Sequence, residues 1–323
     1  MVSSLPHARV FFGFVVPSHI CARRDDIFCY LCQIACRKMK IAYCIICHKF
    51  TPVLRELVES VRAGGMNDIF VHVDEKSDIT QFAQIADRVQ FAEPRIDVCW
   101  GAYSQIEASL NLLKMPTSAD YIALISGDTL PLRTDEQIKR YLGESGGREF
   151  VYELPLRPSH PARLKYKYPP GGKPQGLVAR LRQRLKLLPR NPLFDTLPPL
   201  AFGSNWFVIT PAFREYIFDF LRATPSYTEA FRHSHCGDEL FFATLIEQSP
   251  FATRRDPRRY LYVDWQTGPQ YPRTLDESDF GQLLAAKSRE TDTEHYLFAR
   301  KFSDMLDLAA YRAEFIENSC RCE

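Results

Sequence analysis

The sequence predicts an α/β fold built on a parallel sheet, and three observations predict it. Met39-Lys-Ile-Ala-Tyr-Cys-Ile-Ile-Cys47 and Asp68-Ile-Phe-Val-His-Val-Asp74 are apolar runs of strand length separated by an amphipathic stretch, the pattern of a βαβ unit. Ala123-Leu-Ile-Ser-Gly-Asp128-Thr-Leu-Pro-Leu132 continues a further strand from Tyr121 and stops in a small-residue turn with one carboxylate. Thr134-Asp-Glu-Gln137 then has the pattern of a capped start to a helix running to Leu142. Asp128 is thereby expected at the carboxyl edge of the sheet, where open α/β sheets bind ligands.

In chain order, residues 1–38 lack steady periodicity and form an extension of uncertain status, so the domain is expected over 39–323. After the first strand, Thr51-Pro52 gives an N-cap followed by proline at the first helical position, and Leu54, Leu57, Val58 and Val61 recur at helical spacing up to Gly64-Gly65. Ile96-Asp-Val-Cys-Trp100 reads as another strand, leading through Gly101 into a helix from about Ser104. Residues 39–150 thus form a nucleotide-binding half. Residues 154–194 form a basic variable segment, and order returns in a second half over 201–310. There, Trp206–Thr210 is expected as a strand, with a helix opened by Pro211 and another capped by Asp238 through Ile246. Tyr260–Asp264 is expected as a short strand, and a helical region is expected around Leu297–Phe302 and past Leu308.

With 323 residues, 46% of them apolar, the chain can bury a full core, and disorder is excluded. A formal net charge of +2 makes no case for nucleic acid. The charge is uneven, however: Leu154 to Phe194 contains ten Lys and Arg and no Asp or Glu. Within it, residues 177–188 combine Arg180, Arg182, Arg184 and Lys186 with five leucines and a valine, a composition suited to a helix lying on an anionic membrane surface. A substrate lid with solvated charges is the competing reading. No apolar run approaches the roughly 18–20 residues of a bilayer span, and a signal peptide reads poorly, so a cytoplasmic protein with reduced thiols is expected. Peripheral attachment to the inner membrane face goes with the amphipathic stretch.

The cysteines allow several chemistries. Cys44-Ile-Ile-Cys47-His48 matches a c-type haem attachment pattern, but two buried thiols within a strand are the expected account. Cys29, Cys32 and Cys36 have near-zinc spacing without an evident fourth ligand. His233-Ser-His235-Cys236-Gly-Asp238-Glu239 gathers metal-type ligands, yet is read equally as a loop entering a helix, or as presenting Glu239 as a general base. A nicotinamide site would want a glycine-rich turn after the first strand, and His48-Lys-Phe-Thr-Pro52 has no glycine. Arg273 and Lys301 are isolated cations that suit phosphate neutralisation.

Six segments then resemble a family in their order. They are Phe70–Ser77 (FVHVDEKS), Val98–Ser104 (VCWGAYS), Ile125–Leu132 (ISGDTLPL), Gly203–Phe207 (GSNWF), Gly237–Leu245 (GDELFFATL) and Leu297–Phe302 (LFARKF). The chain resembles the core 2/I-branching glycosyltransferases over about residues 39–310, a family that includes branching β-1,6-N-acetylglucosaminyltransferases and peptide O-xylosyltransferases. The resemblance implies a glycosyltransferase A-type fold, with a Rossmann-like nucleotide-binding half continuous with an acceptor-binding half. It implies inverting transfer of N-acetylglucosamine, or alternatively xylose, from a UDP-sugar to a hydroxyl of a glycan, lipid-linked or polymer acceptor. A non-catalytic UDP-sugar-binding protein on the same fold is a further alternative. By motif, Glu239 matches the catalytic base and Arg273 and Lys301 the pair facing the diphosphate. Asp74, Ser104 and Asp128 match the nucleotide side, and Glu153, Trp206 and Trp265 the acceptor side. Ser126-Gly127-Asp128 holds one acid where a metal-binding corner would have two, so neither a divalent metal nor another cofactor is expected.

Overall fold

The computed structural model describes residues 39–62, 65–169, 181, 187–267 and 272–317. Residues 1–38, with Cys29, Cys32 and Cys36, lie outside it, as do the four cations of the 177–188 stretch. The segment Met39–Glu323 is one compact unit.

Its first half runs β1 (Ile41–Cys47), α1 (Pro52–Arg62), β2 (Asp68–Val73), β3 (Gln90–Phe91), α2 (Ser104–Leu113), β4 (Tyr121–Ser126), β5 (Thr129–Pro131) and α3 (Asp135–Glu144). Next come β6 (Glu153–Leu154), α4 (Ala162–Lys165), β7 (Phe202–Gly203), β8 (Phe207–Ile209), α5 (Pro211–Ala223), α6 (Pro225–Phe231) and α7 (Asp238–Glu247). The chain closes with β9 (Arg259–Val263), α8 (Phe280–Lys287), β10 (Glu294–Arg300) and α9 (Leu308–Arg312). The main sheet has the order β3-β2-β1-β4-β8, parallel except for β8, which runs antiparallel to β4. A second sheet, β5-β10-β9, and a small β6-β7 pair complete the strands among the described residues.

Because side chains alternate along a strand, β1 feeds two cores. Ile41, Tyr43, Ile45 and Cys47 pack with α1 and the second sheet, whereas Ala42 and Cys44 pack with α2, α5 and α7. The α/β class expected from the apolar runs is therefore the class observed. The capping signals also act as expected. Thr51 Oγ1 accepts from Leu54 N at 3.0 Å, Thr134 and Gln137 form a reciprocal capping box, and Thr210 caps α5. Cys44 and Cys47 are buried thiols within β1, the bland account of that motif. No helix among the described residues is long and apolar enough to cross a membrane.

Two expectations are corrected. Residues 96–100 are not a strand, because their backbone groups are taken elsewhere. Ile96 N donates to His72 Nε2 at 2.9 Å, Val98 O accepts from Lys76 Nζ at 3.0 Å, and Cys99 N donates to Ser104 Oγ at 2.8 Å. The edge place in the sheet goes to Gln90–Phe91. Likewise, the region around Leu297–Phe302 is not helical. It contributes β10, the central strand of the second sheet, whose residues His295 to Ala299 are all buried. A short apolar run buried on both faces has neither period, which is why it passes for helix.

Candidate active site

The carboxyl ends of β1, β2 and β4 open onto one edge, and the turn after β4 is built for close approach. A Cβ on Gly127 would stand 2.8 Å from Cys47 Cβ, so only glycine lets the corner pack against β1. Asp128 follows, with its carboxylate accepting from the Ser126 hydroxyl. Arg300 Nε and Nη2 each donate to its Oδ1 at 3.3 Å, and Lys301 Nζ stands 3.8 Å from Oδ2. Burial acts to raise the Asp128 pKa, but Arg300, the Ser126 hydroxyl and Lys301 together hold it below the usual carboxylate value. Burial lowers that of Lys301, helped by Arg300 and Lys49 and opposed by Asp128.

The segment carrying Arg273 runs beside the end of β10, since Leu275 N donates to Lys301 O at 2.7 Å. Arg273 is held by Asp279 at 3.0 Å and Asp264 at 3.9 Å. Trp265, next to Asp264, is 55% exposed and can offer a ring face. Trp206, expected on the acceptor side, is buried, with the Arg300 guanidinium 4.9 Å over its ring. There it supports a cation.

At the end of β2, Asp74 is buried and accepts from Lys76 N at 3.0 Å, with Lys76 Nζ 2.9 Å away. Lys76 also reaches Asp97 and Val98 O, and so ties Asp74 to the loop that Ser104 closes through Cys99. The loop then meets the start of α7: Cys236 N donates to Gly101 O at 2.7 Å, and Cys236 takes a left-handed φ of 48°. That backbone is costly for a residue with a side chain, and it sets where α7 begins.

Glu239 lies in the first turn of α7 and is ion-paired with Arg163 of α4 at 2.5 Å. Asp238 is the first helical residue and not the cap, which is Gly237. Its buried carboxylate accepts from Asn205 Nδ2 at 2.8 Å. Contacts link Lys301, Asp128, Arg300 and Trp206, and Asn205, the residue before Trp206, donates to Asp238, the residue before Glu239. Glu153 lies in β6, opposite Gly203 of β7. Arg255 pairs with Glu153 and with Glu247 at the far end of α7, eight residues from Glu239 or roughly 12 Å along the axis. Arg163, Arg300 and Asn205 were not singled out from the sequence. Arg300 stands beside Lys301 in a quoted segment, and Arg163 was one charge in a basic run.

Burial, with a smaller contribution from Glu239, pushes the Asp238 pKa up to about 7 from the ordinary value of 3.8. The folded state thus binds more protons than the unfolded chain between those values, and stability falls as pH rises from about 4 to about 7. Asp238→Asn is expected to flatten that part of the curve, as read by thermal unfolding of both proteins across the range. An unchanged slope would show that Asp238 titrates normally.

Among the described residues no three His, Cys, Asp or Glu side chains gather as a metal site. The loop thiol Cys236 is pushed up to about 12, chiefly by burial and then by Asp238.

The sequence model described as "Core-2/I-Branching enzyme" matches residues 41–286. Human xylosyltransferase 2 is 27% identical over 307 residues, covering 83% of this chain and 32% of that protein, and the Bos taurus protein is 27% identical over 302 with the same coverage. The chain thus spans about a third of the length of these relatives. Among solved structures, apo mouse xyloside xylosyltransferase 1 aligns with a TM-score of 0.39 at 11% identity, covering 81% of this chain and 97% of that one. Glucosyl-3-phosphoglycerate synthase from Mycobacterium tuberculosis, in complex with Mn2+, UDP and glucosyl-3-phosphoglycerate, gives 0.29 at 15%, covering 63% and 64%.

Proposed function

The chain belongs to the Core-2/I-Branching enzyme family, and from that premise we propose that it is an inverting glycosyltransferase moving N-acetylglucosamine from a UDP-sugar to a hydroxyl of a glycan or glycoconjugate. The observation that carries this reading is that a partly exposed carboxylate, Glu239, is tied to the cations at the end of β10 through contacts at Asp238 and Trp206 and the peptide bonds beside them. A single displacement needs both. Glu239 takes the acceptor hydroxyl proton as the oxygen attacks the anomeric carbon, and the bond from that carbon to the β-phosphate oxygen breaks on the opposite face. Lys301 and Arg273 meet the charge that develops on the departing UDP.

Metal independence is part of the proposal. What supports it is that the one carboxylate of the Ser126-Gly127-Asp128 corner is already engaged by Arg300 and Lys301. A second donor, UDP-xylose, is favoured by the relatives' name, xylosyltransferase 2. Release of free UDP from UDP-N-acetylglucosamine, UDP-xylose and other UDP-sugars, with and without acceptor glycans, tests both. Turnover of one of the two named donors, insensitive to EDTA, is expected. Binding of donor with no turnover would instead make the chain a UDP-sugar-binding protein, and loss of most activity in EDTA would remove metal independence.

A further inference from the structure

Beside α4 lies a cavity of about 460 Å³, within the size range of small-ligand pockets. Its wall joins the apolar faces of Pro158, Pro161, Tyr166, Tyr168 and Phe194 to one cation, Lys165. Aromatic faces with few polar groups suit a sugar ring. The ammonium of Lys165 has no ion-pair partner among the described residues, whereas Arg190 nearby is neutralised by Asp195 at 2.6 Å.

The cavity is also connected to Glu239. Helix α4 presents Arg163 to Glu239, and Lys165, two positions on, faces the other way, into the cavity. The two sites are therefore about one helix diameter apart, roughly 10 Å, the span of two pyranose rings. An aromatic path leads away from the cavity around the end of the helix, where His235 N donates to Arg163 O at 3.0 Å. The Tyr168 ring lies 5.5 Å from that of His235, and His235 lies 6.0 Å from Trp100, which is 65% exposed. The Tyr168 hydroxyl donates to Ala162 O at 3.2 Å, fixing this path to α4.

We propose that this cavity is an acceptor subsite for an anionic sugar, carrying a carboxylate or a sulfate or phosphate ester, about two residues from the hydroxyl presented to Glu239. The inference rests on the proposed glycosyltransferase reading and names the acceptor class of that same site. A neutral ring would leave Lys165 without a counter-charge, and an anion on a flexible chain would leave the tyrosine faces unused. A sugar acid satisfies both.

The test is titration calorimetry of the full chain with a hyaluronan tetrasaccharide, an N-acetylglucosamine-6-sulfate-containing tetrasaccharide and neutral chitotetraose. At least one anionic probe is expected to bind about tenfold tighter than chitotetraose, the worth of one charge-assisted hydrogen bond. Lys165→Gln should remove that difference and Lys165→Arg should keep it, while Tyr166→Ala should weaken all three probes. Which anionic probe binds decides between carboxylate and ester. Equal binding of anionic and neutral probes overturns the proposal, as does a preference that survives Lys165→Gln. Donor hydrolysis without any acceptor, read as UDP release, reports separately on the glycosyltransferase reading, so failure of one is distinguishable from failure of the other.

Discussion

Glu239→Gln is expected to lower sugar transfer by about 10²- to 10⁴-fold, the usual contribution of a positioned general base, with UDP affinity unchanged. The amide keeps the size of the side chain at the start of α7 but cannot accept the acceptor proton. It also gives up the ion pair with Arg163, whose side chain is 26% exposed and can be rehydrated, so the fold should tolerate the change. Transfer and UDP binding measured on the same preparation separate chemistry from folding. Transfer near the wild-type rate would take Glu239 out of its role.

Lys301→Ala is expected to reduce kcat by about 10²- to 10³-fold, the range seen when one fixed electrostatic partner of a developing charge is lost. Arg300→Ala should act in the same direction by a different route. Arg300 holds Asp128 and covers the Trp206 ring, so its loss frees an acid to attract Lys301 away from the diphosphate. The two losses should not add, because both cations share one carboxylate. Steady-state rates for the single and double variants check this. A double variant whose effect equals the product of the singles would show that Arg300 and Lys301 act independently.

What the sequence made legible followed from periodicity and caps. The strands at Ile41, Asp68 and Tyr121 were visible because each is a short apolar run with clear punctuation, and the helices after them because Thr51, Thr134 and Thr210 have local capping work to do. Glu239, Lys301 and Arg273 are candidates by residue type alone, and the resemblance is what joins them in one reaction. The missed features depend on distant partners. Reading Leu297–Phe302 as helix concealed that Arg300 and Lys301 end a strand and converge on one acid, a contact separated by 172 positions in sequence. Arg163 faces Glu239 across 76 positions, and nothing local distinguishes it from the surrounding cations. Glu153 has a residue type suited to an acceptor site, and its pairing with Arg255 likewise has no local sign in the sequence.

The placement of β10 between β5 and β9 bears on when the protein becomes competent. Asp128 leaves the ribosome long before Arg300, and the strand carrying Arg300 must close a loop of 172 positions to reach it. The first half can form its local βαβ contacts early, since these join neighbouring segments, whereas the second sheet has no centre until β10 arrives. A nascent chain would accordingly have Asp74 and Asp128 in place while still lacking Arg300 and Lys301, the latter being one of the cations that the proposed reaction sets against its leaving group. Catalytic competence would then be among the last properties acquired during synthesis.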